Sequence, residues 1–155
     1  MKRQRYTIGA IVEMYIDNNY YVYGQLLPQL SIAVFDYKTE DHLTDITKLQ
    51  MVSVLFIVAI YPDIISKGIW PKIGKLDIRK DLQTLPMEFI YDVIADRFEL
   101  YNPNTGEITR AKKNQCINLE RAAVWAQNHV EDRIRDHYAG VPNIWVEMER
   151  KVFNK

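Results

Sequence analysis

Three side chains that can bind a metal or a phosphate recur every four residues near the carboxyl end of the chain: His129, Arg133 and His137. This spacing places all three on one edge of an α-helix. The arginine opposes a metal cation by its charge, and a zinc site needs further ligands from elsewhere. The chain offers only His42 and the thiol of Cys116 as additional histidine or cysteine ligands. We therefore expect neither a metal nor another cofactor.

The single cysteine is the other candidate for chemistry. Cys116 precedes a segment with helical periodicity, and the dipole at a helix N-terminus stabilises a thiolate. A lone cysteine is more often a small buried apolar side chain, and we prefer that interpretation. The sequence also lacks a phosphate-binding loop, a dinucleotide-binding glycine motif, a nucleophile elbow and a zinc-protease motif. These observations argue against an enzyme.

Residues 119–138 have the periodicity of one long helix with two distinct faces. Asn114 or Asn118 would cap its start, and Gly140 followed by Pro142 would end it. The face expected to pack on the protein is apolar and consists of Leu119, Ala123, Ala126, Val130 and Ile134. The second face is a mixed aromatic and ionic stripe of Arg121, Trp125, His129, Asp132 and Asp136. A helix that only covers a core would not need this stripe.

Two uses remain open for the second stripe and its neighbours. If the charged side chains are buried, they must be paired and hydrogen-bonded. They would then form an ionic clamp that holds the helix to the sheet, made of Glu120, Arg121, Asp132 and Arg133. Exposed side chains would instead form a docking face, because Trp, Tyr and Arg are enriched in protein interfaces. The partner contacts expected on such a face are Trp70, Trp125, His129 and Asp136.

Two other functions stay open as alternatives to a binding protein. An enzyme could use four residues in a cleft beside Trp70, namely His129, Asp132, Arg133 and Asp136. A β-barrel protein that binds small molecules or nucleic acid could use an aromatic surface of Tyr15, Tyr20, Tyr21, Tyr23, Tyr37 and Tyr61 together with Trp70. Residues 6–37 contain no lysine or arginine, so the attraction that dominates nucleic-acid affinity is missing there. We therefore expect no nucleic-acid partner and assign these rings mainly to packing.

Length and charge narrow the class of protein further. A chain of 155 residues is expected to form a single domain over residues 1–155. Twenty basic residues balance twenty acidic ones, so no overall field attracts nucleic acid or an anionic membrane. The longest apolar run, residues 54–61, is too short to span a bilayer, and no export signal is visible. A single cysteine fits a reducing compartment, and we expect the cytoplasm.

The first half of the chain is rich in β-strand patterns. Residues 6–16, 20–27 and 31–37 predict a three-stranded meander, with a turn at Asp17-Asn18-Asn19. Residues 39–49 predict a short amphipathic helix, and residues 52–60 predict a central strand buried on both faces. Pro62 opens one helical turn that Gly68 closes. The segment 69–76 then predicts an edge or bulged strand, because it contains proline and glycine.

The second half adds three strands before the long helix. They are predicted at residues 87–93, 97–101 and 107–111, with a hairpin turn at 102–106. Many strands followed by one late helix indicate the α+β class. We expect a strongly bent or barrel-like, mostly antiparallel sheet, with one long C-terminal helix packed on it and one or two short helices.

Several strings of residues together resemble the bacterial immunity protein 26 family. They are Tyr6-Thr7-Ile8-Gly9, Tyr23-Gly24, residues 55–59, 68–76, 120–125, 129–133 and 140–145. The most specific parts of the resemblance are Glu-Arg-Ala-Ala-Val-Trp at 120–125 and His-Val-Glu-Asp-Arg at 129–133. The resemblance implies an immunity protein from a polymorphic toxin locus that binds and neutralises a cognate toxin domain. It implies binding without catalysis.

Overall fold

The first three strands form an antiparallel meander in the structure, a computed structural model that describes residues 2–154. β1 (Ala10–Ile16) pairs with β2 (Tyr20–Leu27), which pairs with β3 (Ser31–Thr39). Asp17 and Asn18 connect β1 to β2 with φ angles of 54° and 49°. Two consecutive positive φ values match the twist of a hairpin, and aspartate and asparagine tolerate them well. The predicted meander is confirmed.

Three further strands complete the larger sheet, which we call sheet A. β4 (Val54–Ile60) pairs antiparallel with β3, β5 (Lys72–Lys75) pairs with β1, and β10 (Val124–Trp125) runs parallel to β4. The strand order is β10-β4-β3-β2-β1-β5, so β5 is the predicted edge strand, and it has a bulge in its pairing. β4 is an interior strand, as predicted, because it pairs with β3 on one side and with the short edge strand β10 on the other. Its residues alternate between buried and half-buried, so only one of its faces is fully buried.

The remaining strands form a second, smaller sheet, which we call sheet B. It contains β6 (Glu88–Asp92), β7 (Arg97–Tyr101), β8 (Ile108–Ala111) and β9 (Glu120–Arg121), in the order β8-β7-β6-β9. The turn between β7 and β8 places Gly106 at a φ of 80°, as its glycine predicts. The α+β class is confirmed. The strands described by the structure divide between two open sheets rather than one bent sheet.

The long helix is shorter than its sequence pattern predicts. α1 (Asp63–Ser66) and α2 (Lys113–Cys116) are single turns, whereas α3 (Gln127–Ala139) is the longest helix among residues 2–154 and α4 (Ile144–Arg150) follows it. The prediction that one helix begins at residue 119, capped by Asn114 or Asn118, is wrong. The segment before α3 pairs as β9 and β10 instead, and these pairings with distant strands outweigh the local helical pattern. Gly140 ends α3 in the left-handed conformation, as predicted.

Sheet A carries an apolar core on each face. One core lies between the sheet and α3 and includes Trp70, Trp125, Val130 and Ile134. The other is covered by a 3-10 helix, Ile46–Met51, and by the segment around Leu82. The 3-10 helix overlaps only residues 46–49 of the short amphipathic helix predicted over 39–49, because β3 continues to Thr39. Sheet B has a small core of its own that contains Phe89, Cys116 and Val152.

Candidate functional site

A two-point ion pair ties α3 to sheet B. Arg133 on α3 donates from Nη1 and Nη2 to Oε1 and Oε2 of Glu120 on β9, at 3.0 and 2.7 Å. The guanidinium also lies over the Phe56 ring at 4.0 Å and over the Trp125 ring at 5.1 Å. The Arg133 and Glu120 side chains are only 14% and 29% exposed, so solvent screens their attraction weakly. This contact has the geometry expected of an ionic clamp.

The other two predicted clamp residues lie in different surroundings. Asp132 faces α4, where Oδ2 accepts a hydrogen bond from Nε1 of Trp145 at 3.1 Å, and its Oδ1 accepts one from Arg135 at 3.0 Å. Arg121 is half-buried on β9, and its side chain forms no ion pair with any residue in the range 2–154. Its positive charge partly opposes the rise in the pKa of Glu149 that burial causes. The four residues therefore form separate contacts rather than one cluster.

The two tryptophans predicted as partner contacts lie in the core. Trp70 is 1% exposed, and its indole Nε1 donates to Oε2 of Glu131 on α3 at 2.8 Å. Trp125 is 4% exposed and stacks on Phe56. The exposure expected for both rings is therefore wrong. Trp125 faces inward because it belongs to β10, where side chains alternate across the sheet, and not to a helix.

Of the remaining predicted contacts, His129 has part of its ring at the surface, and both carboxylate oxygens of Asp136 accept hydrogen bonds. The His129 ring stacks on Trp145, with ring centroids 3.7 Å apart, and is half-buried. Asp136 accepts from Arg135 through Oδ1, and from Nδ2 of Asn143 through Oδ2 at 2.9 Å. Within residues 2–154, no hydrogen bond joins His129 to Asp136. The catalytic cleft of the enzyme alternative is therefore not assembled by these residues.

Two adjoining grooves meet at the exposed side chain of Val124. The larger, with a volume of about 420 Å³, lies between the two sheets. The smaller, of about 180 Å³, lies between β10 and α4 and is lined by His129 and Trp145. Exposed apolar side chains around the two grooves are Leu30, Tyr61, Val124 and Met148. We call this surface the Val124 grooves.

Each of the Val124 grooves contains one half-buried carboxylate. Glu88 on β6 lines the larger groove and Glu149 on α4 lines the smaller. Burial raises the pKa of each to about 7, and the negative charge of Glu120 adds to both shifts. Both groups therefore change charge close to neutral pH.

These shifts predict a pH dependence of stability. An acid whose pKa is 4.5 when exposed and about 7 when folded stabilises the folded state below pH 4.5, and that contribution is lost as the pH rises to 7. We expect Glu88→Gln to raise the free energy of unfolding by roughly 1–2 kcal/mol at about pH 8, with little effect at about pH 5. Denaturant unfolding of wild type and variant at both pH values measures this difference. Glu107→Gln, at an exposed turn, is the control, and an equal effect of Glu88→Gln at both pH values would contradict the prediction.

A buried carboxylate in β1 was not singled out from the sequence. Glu13 is 6% exposed. Its Oε1 accepts from Nδ1 of His42 and its Oε2 accepts from the hydroxyl of Tyr23, both at 2.8 Å, while the Tyr23 oxygen accepts from the backbone N–H of Leu43. This network satisfies a charge that would otherwise be costly to bury. The available signal was the place of Glu13 in an apolar strand, on the same face as Ile11.

The same network holds a stack of three rings, of which Tyr15 and His42 are exposed and Tyr21 is half-buried. The Tyr15 and Tyr21 rings stack with their centroids 4.7 Å apart. The centroid of the His42 ring lies 4.3 Å from that of Tyr21. The Tyr21 hydroxyl also lies 3.2 Å from Nε2 of His42. Tyr15 is 49% exposed, and the His42 side chain is largely exposed. We call Tyr15, Tyr21 and His42 the ring ladder.

The remaining candidates for chemistry are unreactive in this fold. Cys116 is buried in the core of sheet B, and burial raises the pKa of its thiol. Across residues 2–154, no three histidine, cysteine or acidic side chains are grouped so that they could hold a metal ion.

In the same range, no helix combines the length and apolar character needed to cross a membrane.

Comparison with known proteins gives one match. A family model described as Immunity protein 26 matches residues 7–100, which is more than half of the chain. The matched range contains the ring ladder and β1 to β6. The strings 120–125 and 129–133, which we expected to be the most specific parts of the resemblance, lie outside it. No curated protein and no solved structure matches the chain.

Proposed function

The chain belongs to the immunity protein 26 family, and on that premise we propose that it binds and neutralises a cognate toxin domain of a bacterial polymorphic toxin system. The family match over residues 7–100 is the observation that carries this proposal. We propose that the chain acts as a single domain in the cytoplasm of the toxin-producing cell. It would stop the toxin by occupying it, without a chemical step of its own.

The division of contacts around α3 supports binding rather than catalysis. The side chains that an active site would use are already bound to neighbours: Trp145 stacks on His129 and donates to Asp132, and Asn143 donates to Asp136. In this proposal Glu120 and Arg133 act as the clamp that fixes α3 to sheet B. Asp132 fixes α4 through Trp145, and Arg121 contributes positive charge beside Glu149.

The toxin must contact side chains that are exposed in the free protein. Trp70, Trp125 and Asp136 are therefore proposed to support the fold, and His129 is the predicted contact that still borders a groove. Among the surfaces that present apolar or aromatic groups to solvent are the Val124 grooves and the ring ladder. They lie on different parts of the chain, so variants can separate them.

Growth of a bacterial host that expresses the toxin tests the proposed function. The toxin domain encoded by the gene next to this one is expected to arrest growth, and co-expression of this chain is expected to restore it. Co-expression with an unrelated toxin is the control and should give no rescue. A folded, well-expressed chain that rescues growth from none of the neighbouring toxins would contradict the proposal.

A further inference from the structure

We propose that the ring ladder is the surface that receives the toxin, and that the toxin inserts a cationic side chain, arginine or lysine from a basic patch, against its rings. This inference rests on the proposed function and adds the location and chemistry of the contact. It is carried by the geometry of the rings and by the sign of the charges around them.

Each ring of the ring ladder contacts another of its rings before any partner binds. Tyr15 lies directly opposite Tyr21 in the pairing of β1 with β2, and Tyr21 lies opposite Thr39 in the pairing of β2 with β3. His42 follows shortly after Thr39 and is fixed by its hydrogen bond to the buried Glu13. Little conformational freedom is therefore left to lose on binding, which favours affinity.

The carboxylates beside the ring ladder are Glu13 and Asp41, whose negative charges act on the Tyr21 hydroxyl. Glu13 is buried and bonded to His42, whereas Asp41 is exposed. Asp17, at the hairpin turn, acts instead on Tyr20 and Arg135 at the α3 side of sheet A. The nearby Lys38 points away, because its ammonium group lies over two rings that border the α3 side of sheet A, Tyr20 and Tyr138.

This combination is complementary to a cation. The faces of aromatic rings attract ammonium and guanidinium groups, and the surrounding carboxylates strengthen that attraction. In the smaller of the Val124 grooves, by contrast, the negative charge of Glu149 is opposed by Arg121, Arg133 and Arg150.

Calorimetric titration with the purified toxin domain from the neighbouring gene, inactivated in its own active site, tests the inference. Tyr15→Ala is expected to weaken binding by roughly 10- to 100-fold, as loss of an aromatic anchor does. Asp41→Lys should weaken it as well, and added salt should reduce the wild-type affinity. Tyr61→Ala is the matched control, because Tyr61 is 52% exposed, close to the 49% of Tyr15, and belongs to the Val124 grooves.

The outcomes separate the inference from the proposed function. If wild type binds, Tyr15→Ala and Asp41→Lys weaken binding and Tyr61→Ala does not, the inference is supported. If wild type binds but Tyr15→Ala binds equally well, the inference about the ring ladder is overturned while the proposed function stands. The same holds if wild type binds and only Tyr61→Ala weakens binding. If wild type does not bind the toxin, both are overturned. Unchanged melting temperatures of Tyr15→Ala and Asp41→Lys, both at exposed sites, show that the variants remain folded.

Discussion

Replacement of Trp70 by alanine is expected to lower the free energy of unfolding by about 4 kcal/mol, as for other large aromatic side chains removed from a core. The ring is 1% exposed and packs in the core that also contains Val130 and Ile134 of α3. Its loss leaves a cavity between sheet A and the helix. It also removes the indole N–H donor to Glu131, which keeps its hydrogen bond from Gln127.

Denaturant unfolding of Trp70→Ala measures this effect, and Trp145→Ala is the control. Trp145 is a half-buried surface tryptophan that also donates its indole N–H to a carboxylate, so its loss should cost clearly less. The comparison distinguishes a core residue from a partner contact. A Trp70→Ala variant that unfolds at the wild-type denaturant concentration but binds toxin weakly would show that Trp70 is a contact after all.

Arg133→Ala is expected to lower the free energy of unfolding by about 2–3 kcal/mol. The substitution leaves the half-buried Glu120 without its cation and uncovers the rings of Phe56 and Trp125. The value is set below that of a fully buried pair because both side chains keep some contact with solvent. The loss should therefore be large, but smaller than that of Trp70→Ala.

A second arginine on α3 provides the control for this prediction. Arg135 pairs with Asp132 and Asp136 but is 44% exposed, so Arg135→Ala should cost less than about 1 kcal/mol. A double-mutant cycle with Glu120→Gln and Arg133→Met should give a coupling energy above about 1 kcal/mol. Equal, small losses for Arg133→Ala and Arg135→Ala would show that the ion pair does not hold α3 in place.

The strands could be predicted because their signals are local. Turn residues such as Asp17 and Asn18 take the positive φ angles that a hairpin needs, and the proline and glycine of residues 102–106 mark the turn of sheet B. The segments that flank the first of these turns are rich in β-branched, aromatic and other apolar residues, which favour strands. These features lie within a few residues of one another, so no knowledge of distant contacts is required.

The start of α3 could not be predicted because it is decided by distant strands. Residues 120–125 fit a helical period, yet they pair with β6 at Phe89 and with β4 at Ala59 and Ile60. This change from helix to strand also moved Trp125 from the expected surface into the core. Glu120 on β9 and Arg133 on α3 nevertheless lie close enough to form their ion pair.

The ring ladder and its network are likewise products of strand register. Glu13 and His42 are 29 residues apart in sequence, and Tyr15 meets Tyr21 only because β1 and β2 pair in one particular register. The sequence shows the tyrosines and a carboxylate in an apolar strand. It does not show which of them meet, so the surface emerges only in the folded chain.

Titration of toxin activity with the purified chain tests the proposed function most directly. A binding protein should abolish the activity of the neighbouring gene's toxin domain at a fixed stoichiometric ratio, in a complex that can be isolated and that releases active toxin when it is denatured and separated. Full toxin activity at every ratio would contradict the proposal. Complete and lasting inactivation by a small fraction of an equivalent would contradict it too, because that result requires an enzyme.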